Sequence, residues 1–169
     1  VSPSLRGGKL AILGTHDGSG ETRATRRVTA LHFQSFSGDL EIGTNHKGDA
    51  GLFLAIETRQ KRATWLFRVF RDRDGYLVYD WKQGAKTDRK RVGRKLSLGV
   101  PIPISFELDR ELSTPMLTIK VDGEKIYEGT AAVLKSSSGS LVYGLYAFTS
   151  NALPVDTTLD NVGVVYSKP

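Results

Sequence analysis

The sequence has no cysteine and no long hydrophobic run, and it lacks helical periodicity. Without cysteine, the chain has no disulfide framework, no thiolate metal site and no cysteine nucleophile. No run approaches the roughly 20 apolar residues of a membrane-spanning helix, so we expect no membrane partner. The first residues, VSPSLRGGKL, do not resemble a signal peptide. No stretch of about 12 residues shows an uninterrupted apolar i, i+3, i+4, i+7 stripe, which predicts little helix.

The chain is basic, and its charge is unevenly distributed. A net charge of +6 and a pI of about 9.6 favour polyanionic partners through long-range attraction. Residues 82–95, KQGAKTDRKRVGRK, contain seven Lys or Arg and one Asp. We interpret this basic segment as a solvated loop and edge strand, since cations on an edge prevent further strand pairing. At 169 residues, the sequence predicts a single domain over residues 1–169.

Two apolar-aromatic runs between Ala63 and Lys82 form the clearest predicted element, a β-hairpin with a turn at Asp74-Gly75. Since strand side chains alternate, the first run places Trp65, Phe67 and Val69 on one face and Leu66, Arg68 and Phe70 on the other. The return strand alternates in the same way. Both faces of this hairpin are therefore mixed, as expected for strands with a core on one side and a polar groove on the other.

The rest of the chain continues this pattern of short strands. Arg26 to Phe36 alternates, and we expect a single strand whose His32 and Gln34 point away from the core. A second hairpin is predicted around Asp122-Gly123. We estimate about 11–13 strands, which predicts an all-β, two-sheet antiparallel β-sandwich of the jelly-roll type with little helix.

Four segments, in this order, resemble the concanavalin A-like lectin/glucanase jelly roll and, within it, the small alginate-lyase-like polysaccharide lyases. They are TRATRRV, DGEKIYEG, SLVYGLYAF and LDNVGVVYS. The resemblance implies that Tyr146 occupies the catalytic tyrosine position. It also implies that Arg23, Arg26 or Arg27 belongs to the arginine-rich strand that binds substrate carboxylates. A secreted or extracellular protein is implied as well.

The sequence departs from these lyases at two places. Their usual Gln-Ile-His triplet is replaced by Ala55-Ile56-Glu57, so the neutralising glutamine and the histidine base are missing there. The tyrosine strand continues as Ala147-Phe148 where the family has Asn-Gln. The resemblance therefore supports the fold more strongly than the activity.

Cleavage of a uronate polymer by β-elimination needs a neutralised carboxylate, a base for the α-proton and an acid for the leaving oxygen. Arg23, Arg27 and Gln34 are candidates for binding the carboxylate. His32 is a candidate base, and Tyr146 is a candidate base or acid. As a base, tyrosine needs nearby positive charge to lower its pKa from about 10. The first hypothesis is thus a small polysaccharide lyase acting on an anionic glycan.

A non-catalytic carbohydrate-binding module is the alternative, because aromatic rings and a few charged groups are enough to bind sugars. The residues that would serve this role are Trp65, Arg68, Tyr79, Trp81 and the basic segment. A nucleic-acid-binding β domain is a third, weaker alternative, since the sequence has no RNP-like, KH or zinc pattern. The Glu-x-Asp-x-x-Glu pattern of jelly-roll glucanases is also missing, which argues against glycoside hydrolysis.

Neither main hypothesis requires a cofactor. Calcium is common in the fold superfamily, and the resemblance makes a structural calcium the metal to look for. Asp17, Asp156 and Asp160 offer oxygen ligands, although the sequence has no EF-hand pattern. The expected partner is an acidic polysaccharide or oligosaccharide. The specific glycan, the oligomeric state and whether the chain is part of a longer protein are left open.

Overall fold

Antiparallel strands account for almost all of the computed structural model, which describes residues 2–6, 9–15, 20–58, 63–135, 140–150 and 153–166. These residues form thirteen strands and two short 3-10 turns. The strands are β1 (Ser2–Arg6), β2 (Lys9–Thr15), β3 (Gly20–Thr29), β4 (Phe33–Ile42), β5 (Asp49–Glu57), β6 (Ala63–Arg71), β7 (Tyr76–Gln83), β8 (Lys86–Lys95), β9 (Ile102–Asp109), β10 (Met116–Val121), β11 (Glu124–Thr130), β12 (Ser140–Thr149) and β13 (Pro154–Tyr166). The 3-10 turns are Ala30–His32 and Ala132–Leu134.

The strands are arranged in two sheets. One has seven strands in the order β1-β2-β13-β4-β9-β10-β11, and the other has six in the order β3-β12-β5-β6-β7-β8. Neighbouring strands pair antiparallel throughout, for example β4 with β13 and β5 with β12. The predicted fold class, a two-sheet antiparallel β-sandwich with about 11–13 strands and little helix, is confirmed.

The main core fills the space between the sheets, and strand alternation selects the residues that enter it. Trp65, Phe67 and Val69 of β6 all belong to this core, as the hairpin pattern predicts. The intervening side chains of β6 point to the opposite side of the six-stranded sheet, where Phe70 packs in a second, smaller apolar cluster. One face of the hairpin therefore packs in the main core, and the other packs in the smaller apolar cluster.

Both predicted hairpin turns are present. Asp122 and Gly123 have φ values of 54° and 78°, the left-handed pair that a two-residue type I′ turn requires. At the other turn, the buried carboxylate of Asp72 accepts hydrogen bonds from the backbone N–H groups of Asp74 (3.0 Å) and Tyr76 (2.9 Å). Gly75 has φ of 93°, where a side chain would be strained.

The single strand expected from Arg26 to Phe36 is wrong. The chain leaves β3 of the six-stranded sheet, makes the 3-10 turn Ala30–His32, and enters β4 of the seven-stranded sheet. His32 lies half-buried in the turn, and Gln34 is exposed near the start of β4. The alternating pattern does not reveal this change of sheet, because both strands keep a period of two.

Arg110 holds the crossover in place. Its Nε donates to the carbonyl of Phe33 (2.8 Å), and Nη1 donates to the carbonyl of Leu134 (2.9 Å). Its Nη2 donates to the carbonyl of Ala30. One guanidinium thus connects the two 3-10 turns to the start of β4.

The basic segment, residues 82–95, forms the end of β7, a tight turn and all of β8. β8 is an edge strand that pairs only with β7 among the described strands, as the charge pattern predicted. None of the segments that the structure describes forms a helix with the length and hydrophobicity needed to cross a bilayer.

Candidate functional site

Cross-strand register places functional side chains in rows on the side of the six-stranded sheet that faces away from the seven-stranded sheet, here called the outer face. One row across the sheet consists of Arg23, Tyr146, Gly51, Phe70, Val78 and Arg91. The next row consists of Thr25, Gly144, Phe53, Arg68, Asp80 and Arg89. Arginines and aromatic rings therefore alternate over the middle of this face.

A buried apolar layer lies beneath these arginines. It consists of Phe53, Ala55, Phe70, Val78, Val142 and Tyr146, with Leu66 packed against it. The ring of Tyr146 meets Phe53 and Phe70 edge-on, at centroid distances of 6.5 Å and 5.8 Å. The glycine at position 51 makes this packing feasible, because a Cβ there would lie 2.6 Å from the Cβ of Phe70.

Arginine side chains cover the apolar layer. The guanidinium carbon of Arg23 lies 4.6 Å from the centroid of Phe53, and that of Arg68 lies 5.4 Å from the centroid of Tyr146. Arg89 lies 5.2 Å from the centroid of Phe70. Such cation–π contacts bury the arginine stems while keeping the charged groups at the surface.

Most of these arginines already have carboxylate partners. Arg68 forms a bidentate pair with Asp80, with Nε–Oδ1 and Nη2–Oδ2 distances of 2.8 Å and 2.6 Å. Arg27 pairs with Glu57 at 3.0 Å, and Arg23 pairs with Glu21. Burial disfavours the charge on Arg68, but the bound Asp80 carboxylate outweighs this effect and raises the pKa of Arg68. A ligand carboxylate would have to compete with these internal partners.

Arg89 is the exception on this face. Its side chain is exposed, and its guanidinium forms no ion pair with any residue that the structure describes. It borders two shallow depressions, one of about 300 Å³ that also includes Asp49 and Phe148, and one of about 400 Å³ that also includes Lys82. Phe148 is 39% exposed, so its ring is accessible beside the first depression.

Tyr146 lies at the centre of the outer face but is not accessible. It is 1% exposed, and its hydroxyl has no hydrogen-bond partner among the described residues. Desolvation raises the pKa of Tyr146 well above its usual value, although the nearby Arg68 acts in the opposite direction. In this arrangement the phenol stays protonated at neutral pH, so it is not suited to act as a base.

The structure brings together only part of the set of residues predicted from sequence. Arg23, Arg27, Arg68 and Tyr146 share the outer face, as their register shows. His32 and Gln34 lie at the crossover and on the seven-stranded sheet, so they do not meet Tyr146 there.

The predicted aromatic ligands lie elsewhere as well. Tyr79 is 8% exposed and belongs to the main core, where its ring stacks on Phe67. Trp81 packs against the same core from the edge of the sandwich. Tyr79 and Trp81 therefore do not share the outer face with Arg68, another predicted sugar-binding side chain of this hairpin, because both point to the other side of β7.

The predicted calcium ligands do not form a cluster in the described part of the chain. Asp17 lies outside the described residues. Asp160 forms an ion pair with Lys9 at 2.9 Å, while the side chain of Asp156 lies against Gly43. The residues that the structure describes contain no group of three or more His, Cys, Asp or Glu side chains arranged to hold a metal ion.

Sequence reasoning did not single out Arg89 or Phe148. Arg89 was included only within the basic segment, yet alternation along β8 sets it and Arg91 on the outer face and Lys90 on the other. Phe148 follows Tyr146 by two residues in β12 and so shares its face. The alternation of side chains along β8 and β12 could therefore have identified both residues as members of the outer face.

No protein-family model matches the sequence, and no curated protein matches it either. Solved structures do match. The carbohydrate-binding module CBM66 from Bacillus subtilis is similar with a TM-score of 0.58 and 11% identity, over 90% of this chain and 85% of that protein. The alginate lyase AlyC3 gives a TM-score of 0.61 and 14% identity, over 95% of this chain and 75% of that one.

LamAcat from Zobellia galactanivorans gives a TM-score of 0.67 and 7% identity, over 96% of this chain and 78% of its own. Identities this low carry a shared fold and not a shared activity. The chain therefore has the concanavalin A-like jelly-roll fold.

Proposed function

We propose that this chain is a non-catalytic carbohydrate-binding module that binds an acidic polysaccharide across the outer face. The observation that carries the proposal is the exposed Arg89, which lies over Phe70 between two depressions and has no ion-pair partner among the described residues. We further propose that residues 1–169 form one domain and that the protein acts outside the cell, where such polymers occur.

The charge of the chain supports an anionic ligand. A net charge of +6 raises the local concentration of a polyanion near the surface. Arg89 can then bind a carboxylate or sulfate in bidentate geometry, and such charge-assisted hydrogen bonds are about twice as strong as neutral ones. Lys82, which borders the second depression, provides another cation along the same path.

The shape of the outer face supports an extended ligand. Both depressions border Arg89, one beside β6, β7 and β8 and the other beside Phe148 of β12, and we propose that the ligand follows a path from one to the other past Arg89. Phe148 borders one of them with an accessible ring, and aromatic rings pack well against the C–H faces of sugars. A polymer lying on this path would place successive residues against a ring and a guanidinium.

β-Elimination is the second candidate function, and one observation favours it. The Tyr146 hydroxyl lies on the sheet with no hydrogen-bond partner in the described structure, below the guanidinium of Arg68. We rank it second, reversing the order that the sequence suggested. Burial and the raised pKa of Tyr146 oppose a role as base, and His32 lies away from this face.

The test combines binding and turnover. Migration of the protein would be measured in gels containing alginate, pectate, glucuronan or hyaluronan, while ultraviolet absorbance follows any unsaturated product. We expect retardation by at least one polymer and flat absorbance. Arg89→Ala should weaken binding about tenfold, consistent with loss of a hydrogen-bonded charge. Lys125→Ala, which removes an equal charge from β11, is the matched control and should bind normally.

Three results would contradict the proposal. Rising absorbance that Tyr146→Phe abolishes would establish a lyase. Equal binding by the Arg89→Ala and Lys125→Ala variants would show that net charge, rather than the outer face, attracts the polymer. Retardation by single-stranded DNA and by no glycan would instead favour a nucleic-acid ligand.

A further inference from the structure

A second concave surface lies at the open edge of the sandwich, away from the outer face. We call it the edge cleft. It has a volume of about 350 Å³. The end of β7 and the start of β8 border it on the six-stranded sheet, and β10 and β11 border it on the seven-stranded sheet. Its aromatic side chains are Trp65, Phe67, Trp81 and Tyr127, and its polar side chains include Gln83, Lys86 and Thr130.

Aromatic rings form the base and one wall of the edge cleft. Trp65 and Phe67 are buried at its base, with ring centroids 6.3 Å apart. Tyr127 lies 4.7 Å from Phe67, and both Tyr127 and Trp81 remain half-buried, so part of each ring is accessible. Both tryptophans of the sequence therefore line the same cleft.

Glycine shapes the β11 side of the edge cleft. A Cβ at position 129 would lie 2.3 Å from the hydroxyl oxygen of Tyr127. The phenol of Tyr127 can lie over β11 only because residue 129 has no side chain. Its ring consequently closes one side of the cleft.

Three polar side chains at the rim of the edge cleft are available for hydrogen bonds to a ligand. Gln83, Lys86 and Thr130 are all exposed, and their side chains form no hydrogen bond or ion pair with any residue in the described ranges. An amide and a hydroxyl each donate and accept hydrogen bonds, while an ammonium donates. This combination matches sugar hydroxyls, which also donate and accept.

We propose that the edge cleft binds one pyranose residue of a glycan, with a C–H face of the sugar against Trp81 and its hydroxyls bound by Gln83, Lys86 and Thr130. The site is separate from the outer face and does not depend on the function proposed there. A single lysine at the rim fits a neutral or singly charged sugar better than a polyphosphate. The volume lies at the lower end of the range of small-molecule pockets.

The two tryptophans allow occupancy to be measured directly. Trp81 also borders one of the outer-face depressions, whereas Trp65 lines only the edge cleft among these sites. The Trp81→Phe variant keeps an aromatic wall and leaves Trp65 as the only fluorophore of this type. It would be titrated with glucose, galactose, mannose, N-acetylglucosamine, glucuronate and the disaccharides cellobiose and lactose. We expect a saturable change in Trp65 emission with at least one sugar, matched by heat in calorimetry with the unmodified protein.

Point variants locate the binding. Lys86→Ala or Gln83→Ala should weaken sugar affinity about fivefold through loss of one hydrogen bond. Lys90→Ala, on the same strand but outside the cleft, is the matched control for Lys86→Ala. Arg89→Ala should leave the sugar affinity unchanged.

Two outcomes would overturn the edge-cleft proposal. One is the lack of both saturable emission change and binding heat with every sugar in the panel. The other is a response that Arg89→Ala abolishes and Lys86→Ala leaves intact, which would assign the sugar to the outer face. Since the polymer assay depends on Arg89 and the fluorescence assay on Lys86, either proposal can fail without the other.

Discussion

The outward-facing sides of the two sheets differ in the side chains that they carry. On the six-stranded sheet, Phe53, Phe70 and Tyr146 are buried beneath arginines, although no further layer of described protein covers them. On the outward side of the seven-stranded sheet, by contrast, Ser37, Ser105 and the ion pair Lys120–Glu107 are neighbouring short or charged side chains. A two-layer sandwich needs only one core. The second apolar layer therefore supports the arginines that cover this face and holds them in position.

The largest effect should come from removing a ring of this second layer. Phe53→Ala deletes a fully buried side chain that supports Tyr146 and Arg23. We expect the free energy of unfolding in urea to fall by about 3 kcal/mol, because a cavity remains. Ser105→Ala, on the opposite face, should change it by less than about 0.5 kcal/mol. A loss below about 1 kcal/mol for Phe53→Ala would show that the layer is not packed as described.

Ion pairs on the two outward-facing sides provide a second comparison of stability. Arg68 and Asp80 have side-chain exposures of 25% and 11%, whereas those of Lys120 and Glu107 are 41% and 43%. Arg68→Ala leaves a mostly buried carboxylate unpaired and should cost about 2–3 kcal/mol, while Lys120→Ala should cost at most about 1 kcal/mol. The double variant Arg68→Met, Asp80→Leu should be more stable than Arg68→Ala alone. Equal losses at the two sites in chemical denaturation would contradict the difference between the faces.

The next prediction concerns the pH dependence of stability. His46 lies in the connection through which the chain passes from β4 of one sheet to β5 of the other. Its Nδ1 accepts a hydrogen bond from the backbone N–H of Asp156 (3.0 Å), and its buried Nε2 has no partner among the described residues. Desolvation lowers the pKa of His46 and the charge of Arg71 acts in the same direction, whereas the backbone of Asp49 and the Asp156 carboxylate oppose it. The imidazole is therefore neutral when folded.

Because the unfolded imidazole binds a proton below about pH 6.5, stability should fall as the pH decreases from 7 to 5, by at most about 1.4 kcal/mol per pH unit. His46→Gln should remove this slope, and His32→Gln, in the half-buried crossover turn, should preserve it. Urea denaturation at several pH values measures both. An unchanged slope in His46→Gln would assign the pH dependence to other groups.

The smallest effect concerns the Tyr146 hydroxyl. Tyr146→Phe removes a buried polar group without a partner and keeps the ring packing against Phe70. We expect a change between zero and about 1 kcal/mol in the stabilising direction, measured by thermal or urea denaturation. A loss of more than about 1 kcal/mol would show that the hydroxyl has a partner in solution.

Much of the fold could be predicted from local sequence patterns. Alternation in the central hairpin, with Asp-Gly at its turn, gave the correct facing of Trp65 and Phe67 and of Arg68 and Phe70. The crossover at Ala30–His32 was not readable, because a change of sheet leaves the period-two pattern intact. The choice depends on packing against residues as distant as Arg110, which local sequence does not contain.

The site was predictable in part. The hairpin register sets Arg68 opposite Asp80, so neighbouring Tyr79 and Trp81 had to lie on the other face. That conclusion follows from strand alternation alone, although Arg68, Tyr79 and Trp81 were predicted together as sugar-binding residues. The burial of Tyr146 was not predictable in this way. It depends on arginines from other strands covering its ring, which only the assembled sheet reveals.

Arg110 has a consequence for how the molecule opens. Its guanidinium joins the backbone carbonyls of Ala30 and Phe33, which are near neighbours in sequence, to that of Leu134, which is far along the chain. Neither 3-10 turn can detach from β4 without breaking bonds to the same side chain. In hydrogen–deuterium exchange, we therefore expect the amides of both turns to exchange together as one cooperative unit, and to separate into two when Arg110 is replaced by methionine.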